Sequence, residues 1–314
     1  MPRTSLANGA WRKVAHGLYT PAVDFVTTTQ RILDVATQLT APAAGGGWAA
    51  VGGWAAAYAW GVDRLDGVDP RTGKELPVDC VGQHLKRSST AHVRYRRSPL
   101  VETEVDDRLG VPVTSPLRTA FDGARWAPSV EEAVVFLDAM VAANVINVDD
   151  LRNHIEQQRH CVGVEQAMRA ADLTESGVRS GWESRLRVCY QLEAEMPRPQ
   201  VNVPLFSLTE DFLGIADLFD PVAGLIAEFD GDQHRERRQH HNDNVREEAF
   251  ESVNLTVVRS DSLDLNSVLN PDRRSLVRRL RNGRRRGLAR DRSQDGWTIA
   301  VPDWWRGRIP GCDI

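Results

Sequence analysis

The sequence predicts an α/β protein whose C-terminal half has the element order αβββαβ. Two apolar runs of strand length, at 212–220 and 225–229, are joined by the turn signal Asp220-Pro-Val-Ala-Gly224, which favours a hairpin. Segments on both sides of the hairpin have apolar residues at helical spacing. The predicted elements are a helix at 180–190, strands at 200–206, 212–220 and 225–229, a helix at 243–250 and a strand at 255–259.

The last strand of this hairpin carries acidic residues where apolar ones are expected. With period-two alternation Ile226, Glu228 and Asp230 share one face. Burying two carboxylates costs several kcal/mol unless their charge is compensated, and a divalent cation is a natural compensator. Gly231 then permits a sharp turn, and His234 follows where a proton-transfer group would sit. The alternative is an edge strand with solvated acids.

Further polar residues flank these acids. The hairpin would bring Asp217 beside Glu228, and we expect the two carboxylates to lie within about 6 Å, close enough to share one cation. Glu183 comes near the start of the helix that precedes the strands. Asp243 and Arg246 share one face of the later helix at i,i+3.

The order of these residues resembles a known family. It is similar to the small nuclease-like domain related to very-short-patch-repair endonucleases, within the PD-(D/E)xK superfamily, over roughly residues 177–262. The resemblance implies a restriction-endonuclease-like core and hydrolysis of DNA with Mg²⁺ or Mn²⁺, in which acids hold a metal that activates water. The matching pattern is Glu183, Asp217, Glu228-x-Asp230-Gly231-x-x-His234 and Asp243-x-x-Arg246.

The resemblance also implies roles for these residues. Asp217 and Glu228 would be metal ligands, with Asp230 as a supporting ligand or orienting acid. His234 would be the general base, and Arg246 would contact phosphate. The remaining two, Glu183 and Asp243, would orient these groups.

One departure from the family pattern bears on activity. The only lysines are Lys13, Lys74 and Lys86, so the superfamily's lysine is missing and Asp230 takes its place. Very-short-patch-repair nucleases also lack that lysine and are thought to use histidine, which makes His234 the candidate base. The alternative function is a non-catalytic, DNA-binding regulator or antitoxin-like protein that keeps a degenerate nuclease fold.

Charge is distributed unevenly along the chain. The net charge of −4 argues against a generally basic surface for nucleic acid, yet residues 271–292 contain ten arginines against Asp272 and Asp291. We expect an arginine-rich helix beside the core that contacts DNA phosphates, the alternative being a solvated helix end. The candidate DNA-binding residues are Arg273, Arg274, Arg278, Arg279, Arg281, Arg284, Arg285 and Arg286.

The C-terminal segment 266–314 combines this arginine-rich helix with a tail that contains tryptophan and proline. Isolated aromatic residues such as Trp297, Trp304 and Trp305 usually pack back onto a domain, so we expect that here. Stacking on nucleic-acid bases is the alternative.

The head, residues 1–175, gives weaker signals. Residues 10–21 read as two short strands around a basic turn, and they resemble the wing of the winged helix in abortive-infection antitoxin (AbiEi-type) proteins. About nine residues precede this wing, so we expect a head without recognition helices that serves a protein partner or backbone contacts. Ser115 is expected to cap a helix that begins at Pro116.

Composition limits the number of domains, the state of the cysteines and the presence of membrane spans. Hydrophobic content of 41% over 314 residues is enough for two domains, each with its own hydrophobic core. The four cysteines are scattered without a C-x-x-C pair, which predicts reduced thiols in a cytoplasmic protein rather than zinc or disulfides. Residues 35–62 carry no charge, but Pro42 and several glycines interrupt them, so we expect no membrane span.

Overall fold

The chain forms two compact units in a computed structural model that describes residues 11–15, 18–22, 25–39, 47–85, 88–158, 160–231 and 248–305. Unit 1 is Met1–Thr174 and unit 2 is Glu175–Ile314, a division that falls next to the predicted boundary. Both units contain helices and strands, so the predicted mixture of α and β structure is confirmed.

Unit 1 contains a hairpin and a five-stranded mixed sheet of order β5-β4-β3-β7-β6. The hairpin is the antiparallel pair predicted for residues 10–21. The strands are β1 (Trp11–Ala15), β2 (Leu18–Pro21), β3 (Ala49–Gly52), β4 (Val78–Gly82), β5 (Val93–Arg96), β6 (Val105–Arg108) and β7 (Val111–Thr114). The helices are α1 (Thr28–Ala36), α2 (Gly53–Ala59), α3 (Pro116–Arg125), α4 (Val130–Ala142), α5 (Val148–Gln157) and α6 (Val164–Leu173).

Apolar side chains from α1 and α2 pack on this sheet, with Ile32 and Val51 among the fully buried ones. Helices α3 to α6 pack on one another. The predicted start of α3 is confirmed, but the expected cap is wrong: Ser115 is the N-cap residue and its side chain accepts no capping hydrogen bond. Its backbone carbonyl accepts from the Thr119 N–H instead, at 2.8 Å.

Two arginines of β5 bind a carboxylate of their own unit. Asp79 is almost fully buried in β4. Arg94 donates to both of its oxygens, at 2.7 and 2.9 Å, and Arg96 donates to one at 3.1 Å. The Arg96 guanidinium also lies 4.7 Å from the Trp126 ring centroid. These contacts assign both side chains to the fold of unit 1.

Unit 2 is built on a five-stranded sheet of order β11-β10-β9-β8-β12, in which β10 and β11 run parallel and the other neighbours run antiparallel. The predicted hairpin is confirmed as β9 and β10. Helix α7 (Gly181–Val188) precedes the sheet, and a longer helix, Arg274–Leu288, follows β11; we call it the arginine helix. The strands are β8 (Gln200–Ser207), β9 (Phe212–Asp220), β10 (Leu225–Phe229), β11 (Thr256–Ser260) and β12 (Trp297–Thr298).

Apolar clusters lie on both faces of this sheet. On one face Leu225 and Ala227 pack with Leu186 of α7 and with Leu280 of the arginine helix. Ile226, between them in β10, belongs to a second cluster with Phe250. Side-chain alternation along a strand therefore gives β10 two buried faces, which explains its unbroken apolar character.

The C-terminal tail returns to this sheet. Trp297 lies in β12, which pairs with β8, and its ring meets Phe219 edge to face at 5.1 Å. The Trp305 ring stacks on Phe212 at 4.3 Å between centroids. These contacts are the packing against the domain that was expected of the tail.

No helix among the described residues is long and apolar enough to cross a membrane. The uncharged stretch 35–62 contributes the end of α1, then β3 and α2. Of the cysteines in the described ranges, Cys80 and Cys189 are buried and Cys161 is half-buried.

The arginine helix lies so close to the sheet that it depends on a glycine. A Cβ atom on Gly287 would lie 2.1 Å from the backbone oxygen of Ala223, in the turn between β9 and β10. We expect Gly287→Ala to lower the free energy of unfolding by about 1–3 kcal/mol, because the clash with backbone exceeds the roughly 1 kcal/mol that alanine contributes to helix propensity.

Urea denaturation followed by circular dichroism measures this loss. Ser275→Ala, an exposed position in the same helix, is the matched control and should change stability by less than about 0.5 kcal/mol. Equal stability of Gly287→Ala and the control would show that the helix does not lie this close to the turn.

Candidate acid site and arginine helix of unit 2

Asp217 lies where β9 and β10 stop pairing. The last pair of this ladder is Ala227 with Leu218, and Asp217 and Glu228 are the next residues of the two strands. There the Phe229 N–H donates to Oδ2 of Asp217 at 2.9 Å, so a carboxylate replaces the backbone acceptor. This bond brings the Asp217 carboxylate to the peptide that joins Glu228 and Phe229.

Glu228 is 3% exposed, and its charge lies beside a guanidinium. In the parallel ladder Glu228 pairs with Arg259 of β11, and the Arg259 Nε lies 4.0 Å from Oε2 of Glu228. The Ser260 hydroxyl donates to the backbone oxygen of Glu228 at 3.1 Å, which fixes the strand at this level. An ion pair therefore offsets part of the cost of burying this carboxylate.

Asp230 follows directly after β10. Its backbone N–H donates to the carbonyl of Ser260 at 2.7 Å, so the chain keeps the direction of the strand up to this residue. Asp230 is half-buried and Gly231 is exposed. The structure thus places Asp217, Glu228 and Asp230 at the carboxyl end of β10.

Glu183 stabilises the start of α7. Its N–H donates to the side chain of the N-cap residue Ser180 at 3.1 Å. Its own Oε2 accepts from the Arg179 N–H and from Nδ2 of Asn202, each at 3.0 Å. These bonds make Glu183 a capping residue that joins the helix to β8.

Asn202 donates to this cap and to the carbonyl of Gly177, and sequence analysis missed it. It lies in β8 between Val201 and Val203, which pair with Leu218 and Ala216 of β9. Its φ of 49° is in the left-handed region, which asparagine tolerates better than most residues. A lone asparagine in an apolar strand was the only sign in the sequence.

The remaining predicted site residues, His234, Asp243 and Arg246, lie outside the described residues. Within the described ranges, no group of three or more histidine, cysteine, aspartate or glutamate side chains is placed to hold a metal. Asp217 and Glu228 supply two carboxylates, and Mg²⁺ is commonly held by one or two carboxylates together with waters and substrate phosphates. The donor set therefore fits a Mg²⁺ site completed by substrate better than a preformed cage.

The predicted arginine-rich helix is present, and half of its eight candidate arginines contact unit 2 itself. Arg273 is 1% exposed and donates to Glu193 at 2.9 Å. Arg284 donates to the buried carboxylate of Asp220 at 2.9 Å. The other two are Arg279, which donates to Asp264 and to the carbonyl of Arg259, and Arg281, which donates to the carbonyls of Glu193 and Ala194. These side chains hold the helix in place.

The other four, Arg274, Arg278, Arg285 and Arg286, are exposed. Arg274 pairs with Asp272 at 3.1 Å on the surface, and Arg285 donates to Oδ1 of Asn282 at 3.0 Å. Within the described part of unit 2, Arg278 and Arg286 form no ion pair. We call these four the outward arginines; they are the cations that the fold leaves available to an external anion.

A groove of about 470 Å³ runs along the exposed face of the helix. From Arg274 to Arg285 it extends roughly 16 Å at 1.5 Å per residue, the axial length of about five nucleotides of one DNA strand. No carboxylate is among its described lining residues, which are Arg274, Val277, Arg278, Arg281, Asn282 and Arg285.

We call the four arginines that contact unit 2, Arg273, Arg279, Arg281 and Arg284, the inward arginines. Substitution of an inward arginine and of an outward arginine should have different effects. Arg284→Gln removes the guanidinium from Asp220, which is 5% exposed, and should lower the free energy of unfolding by about 3 kcal/mol. Arg278→Gln should change stability by less than about 0.5 kcal/mol, while reducing the slope of log K for DNA against log salt by about one.

Denaturation and salt titration of duplex binding, run on both variants, make the comparison. A reduced salt slope for Arg284→Gln with full stability would contradict the assignment of inward and outward faces.

Comparison of the chain with protein-family models, with curated proteins and with solved structures gave no match. The function is therefore argued from the contacts of unit 2.

Proposed function

We propose that unit 2 is a Mg²⁺- or Mn²⁺-dependent DNA endonuclease that hydrolyses phosphodiester bonds. The observation that supports this proposal is the hydrogen bond of the Asp217 carboxylate with the N–H of Phe229, the residue that follows the buried Glu228 in β10. Carboxylates near the end of a buried strand lower the stability of the fold unless their charge is compensated. A bound divalent cation would compensate it.

The acids and the arginine helix would have complementary tasks. A bound cation would polarise the phosphate and lower the pKa of water. The two carboxylates would hold that cation, and the N–H of Phe229 orients one of them. Asp230, one residue beyond β10, would support the site, and His234 would accept the proton of the attacking water.

DNA is the proposed substrate because the outward arginines form a long basic stripe rather than a small pocket. A stripe of roughly 16 Å suits a repeating polyanion, and each phosphate it neutralises releases counterions. Defence or repair is the proposed setting, and a protein partner would bind unit 1.

A second candidate function rests on a different contact. The Arg259 guanidinium, 4.0 Å from Glu228, is a cation that the protein itself supplies to the buried acid. A DNA-binding regulator with a degenerate nuclease fold would use this ion pair in place of a metal, and the arginine helix would serve binding alone.

Asp217→Asn separates the two functions. The amide oxygen can still accept the hydrogen bond of the Phe229 N–H, while the charge that would hold a cation is removed. We expect cleavage of plasmid DNA in Mg²⁺ to fall by at least 10³-fold, whereas duplex affinity in EDTA stays within about twofold, because the outward arginines are unchanged.

Glu251→Gln is the matched control, since it neutralises an exposed acid of the same unit, and it should cleave like the wild type. Cleavage at equal rates by the wild type and Asp217→Asn would reveal a contaminating nuclease. Duplex binding without metal-dependent product in any protein would establish the regulator instead.

A further inference from the structure

A second cleft, of about 250 Å³, opens between the arginine helix and β11. It is separate from the groove on the exposed face of the helix, and Asn282 lines both of them. The sheet order makes β11 an edge strand, so this cleft lies at a border of the sheet. Its lining residues are Val257, Val258, Arg259, Arg279, Asn282 and Arg286.

The composition of this cleft favours an anion. The described lining residues include three arginines and one asparagine but no acidic residue. Arg279 is held at the wall, because it donates to Asp264 and to the backbone oxygen of Arg259. Arg286 has no ion-pair partner in the ranges that the structure describes. Converging guanidiniums repel one another unless an anion lies among them, and a phosphate oxygen accepts from several guanidiniums at once.

Arg259 connects the cleft to the acid site. Arg259 is among the lining residues of the cleft, and its Nε lies 4.0 Å from Oε2 of Glu228. A cation bound at Glu228 would be repelled by a guanidinium at this distance, since like charges in a poorly solvated place interact strongly. Arg259 could therefore pair with either of two anions, the Glu228 carboxylate or a phosphate that enters the cleft.

We propose that the cleft between the arginine helix and β11 binds one phosphate of a nucleic-acid backbone, which draws Arg259 away from Glu228 and so opens that carboxylate to a divalent cation. The coupling to metal rests on the proposed function. Metal loading then follows substrate binding, which agrees with a donor set of two carboxylates that lacks a third described ligand.

The coupling is tested by titrating Mn²⁺ and following free Mn²⁺ by electron paramagnetic resonance, with and without a 12-base-pair DNA duplex. For the wild type we expect the duplex to raise Mn²⁺ affinity at least tenfold. Asp217→Asn with the same duplex corrects for Mn²⁺ held by the DNA itself. Inorganic phosphate at equal phosphate concentration should give no such increase, because a single anion lacks the groove contacts; an equal increase would overturn the assignment to a nucleic-acid backbone.

Three variants make the test specific. Arg259→Gln should raise Mn²⁺ affinity about tenfold without DNA and respond little to the duplex, because the competing cation is gone. Arg286→Gln, an exposed change that should leave the fold intact, should keep the low affinity without DNA and lose most of the duplex effect. Arg169→Gln, which neutralises an exposed arginine on α6 of unit 1, should behave like the wild type.

The failures of the two proposals are distinguishable. Equal Mn²⁺ affinity of the wild type with and without duplex, matched by Arg259→Gln, would overturn the coupling and leave the metal-dependent function standing. Absence of Mn²⁺ binding in every protein under both conditions would overturn both. If the duplex raised the Mn²⁺ affinity of Arg286→Gln as much as that of the wild type, the phosphate would not bind in this cleft.

Discussion

Burial of charge is the constraint on which unit 2 depends. Glu228 and Asp220 are 3% and 5% exposed, and Arg273 is 1% exposed. Each such group costs several kcal/mol in a poorly solvated place unless a partner of opposite charge meets it. Asp220 is paired with Arg284, and Arg273 is paired with Glu193. Both ion pairs attach the arginine helix to elements far from it in sequence. The position of the helix follows from these pairs and from the small size of Gly287.

This constraint divides one helix between two tasks. Arg273, Arg279, Arg281 and Arg284 bind carboxylates and carbonyls of the unit, and three of the outward arginines line a groove without described acids. A helix with arginine on all sides would place unpaired charges against the core, which is unfavourable. Here each inward guanidinium donates to a carboxylate or a backbone carbonyl of the unit. The outward arginines can then serve a ligand without loss of stability. Arg259 is close to the buried Glu228 and is also among the lining residues of the second cleft.

Local signals were sufficient for much of the fold. The turn at Asp220–Gly224 and the two apolar runs predicted the hairpin of β9 and β10, and Pro116 marked the start of α3, because these signals act within a few residues. Alternation predicted Asp217 beside Glu228, and the Asp217 carboxylate accepts from the N–H of Phe229, the next residue of β10. The capping role of Ser115 was wrong, since an eligible residue at an N-cap position need not make the bond.

What the sequence could not supply depends on contacts between distant residues. Arg284 meets Asp220 across 64 positions, so composition alone could not tell an inward arginine from an outward one. The pairing of Glu228 with Arg259 required the parallel register of β10 and β11, and Asn202 required its left-handed backbone. His234, Asp243 and Arg246 stay predictions of the sequence.

The central claim is that Asp217 and Glu228 together hold a divalent cation when substrate is present. Crystals of Asp230→Asn, a change chosen to slow turnover while leaving those two acids intact, grown with MnCl₂ and a short DNA duplex and recorded near the manganese absorption edge, test it most directly. We predict an anomalous peak bonded to both carboxylates, at about 2.0–2.6 Å, with the Arg259 guanidinium moved away from Glu228. Bound DNA with no peak between these acids, and Arg259 still paired with Glu228, would contradict the account.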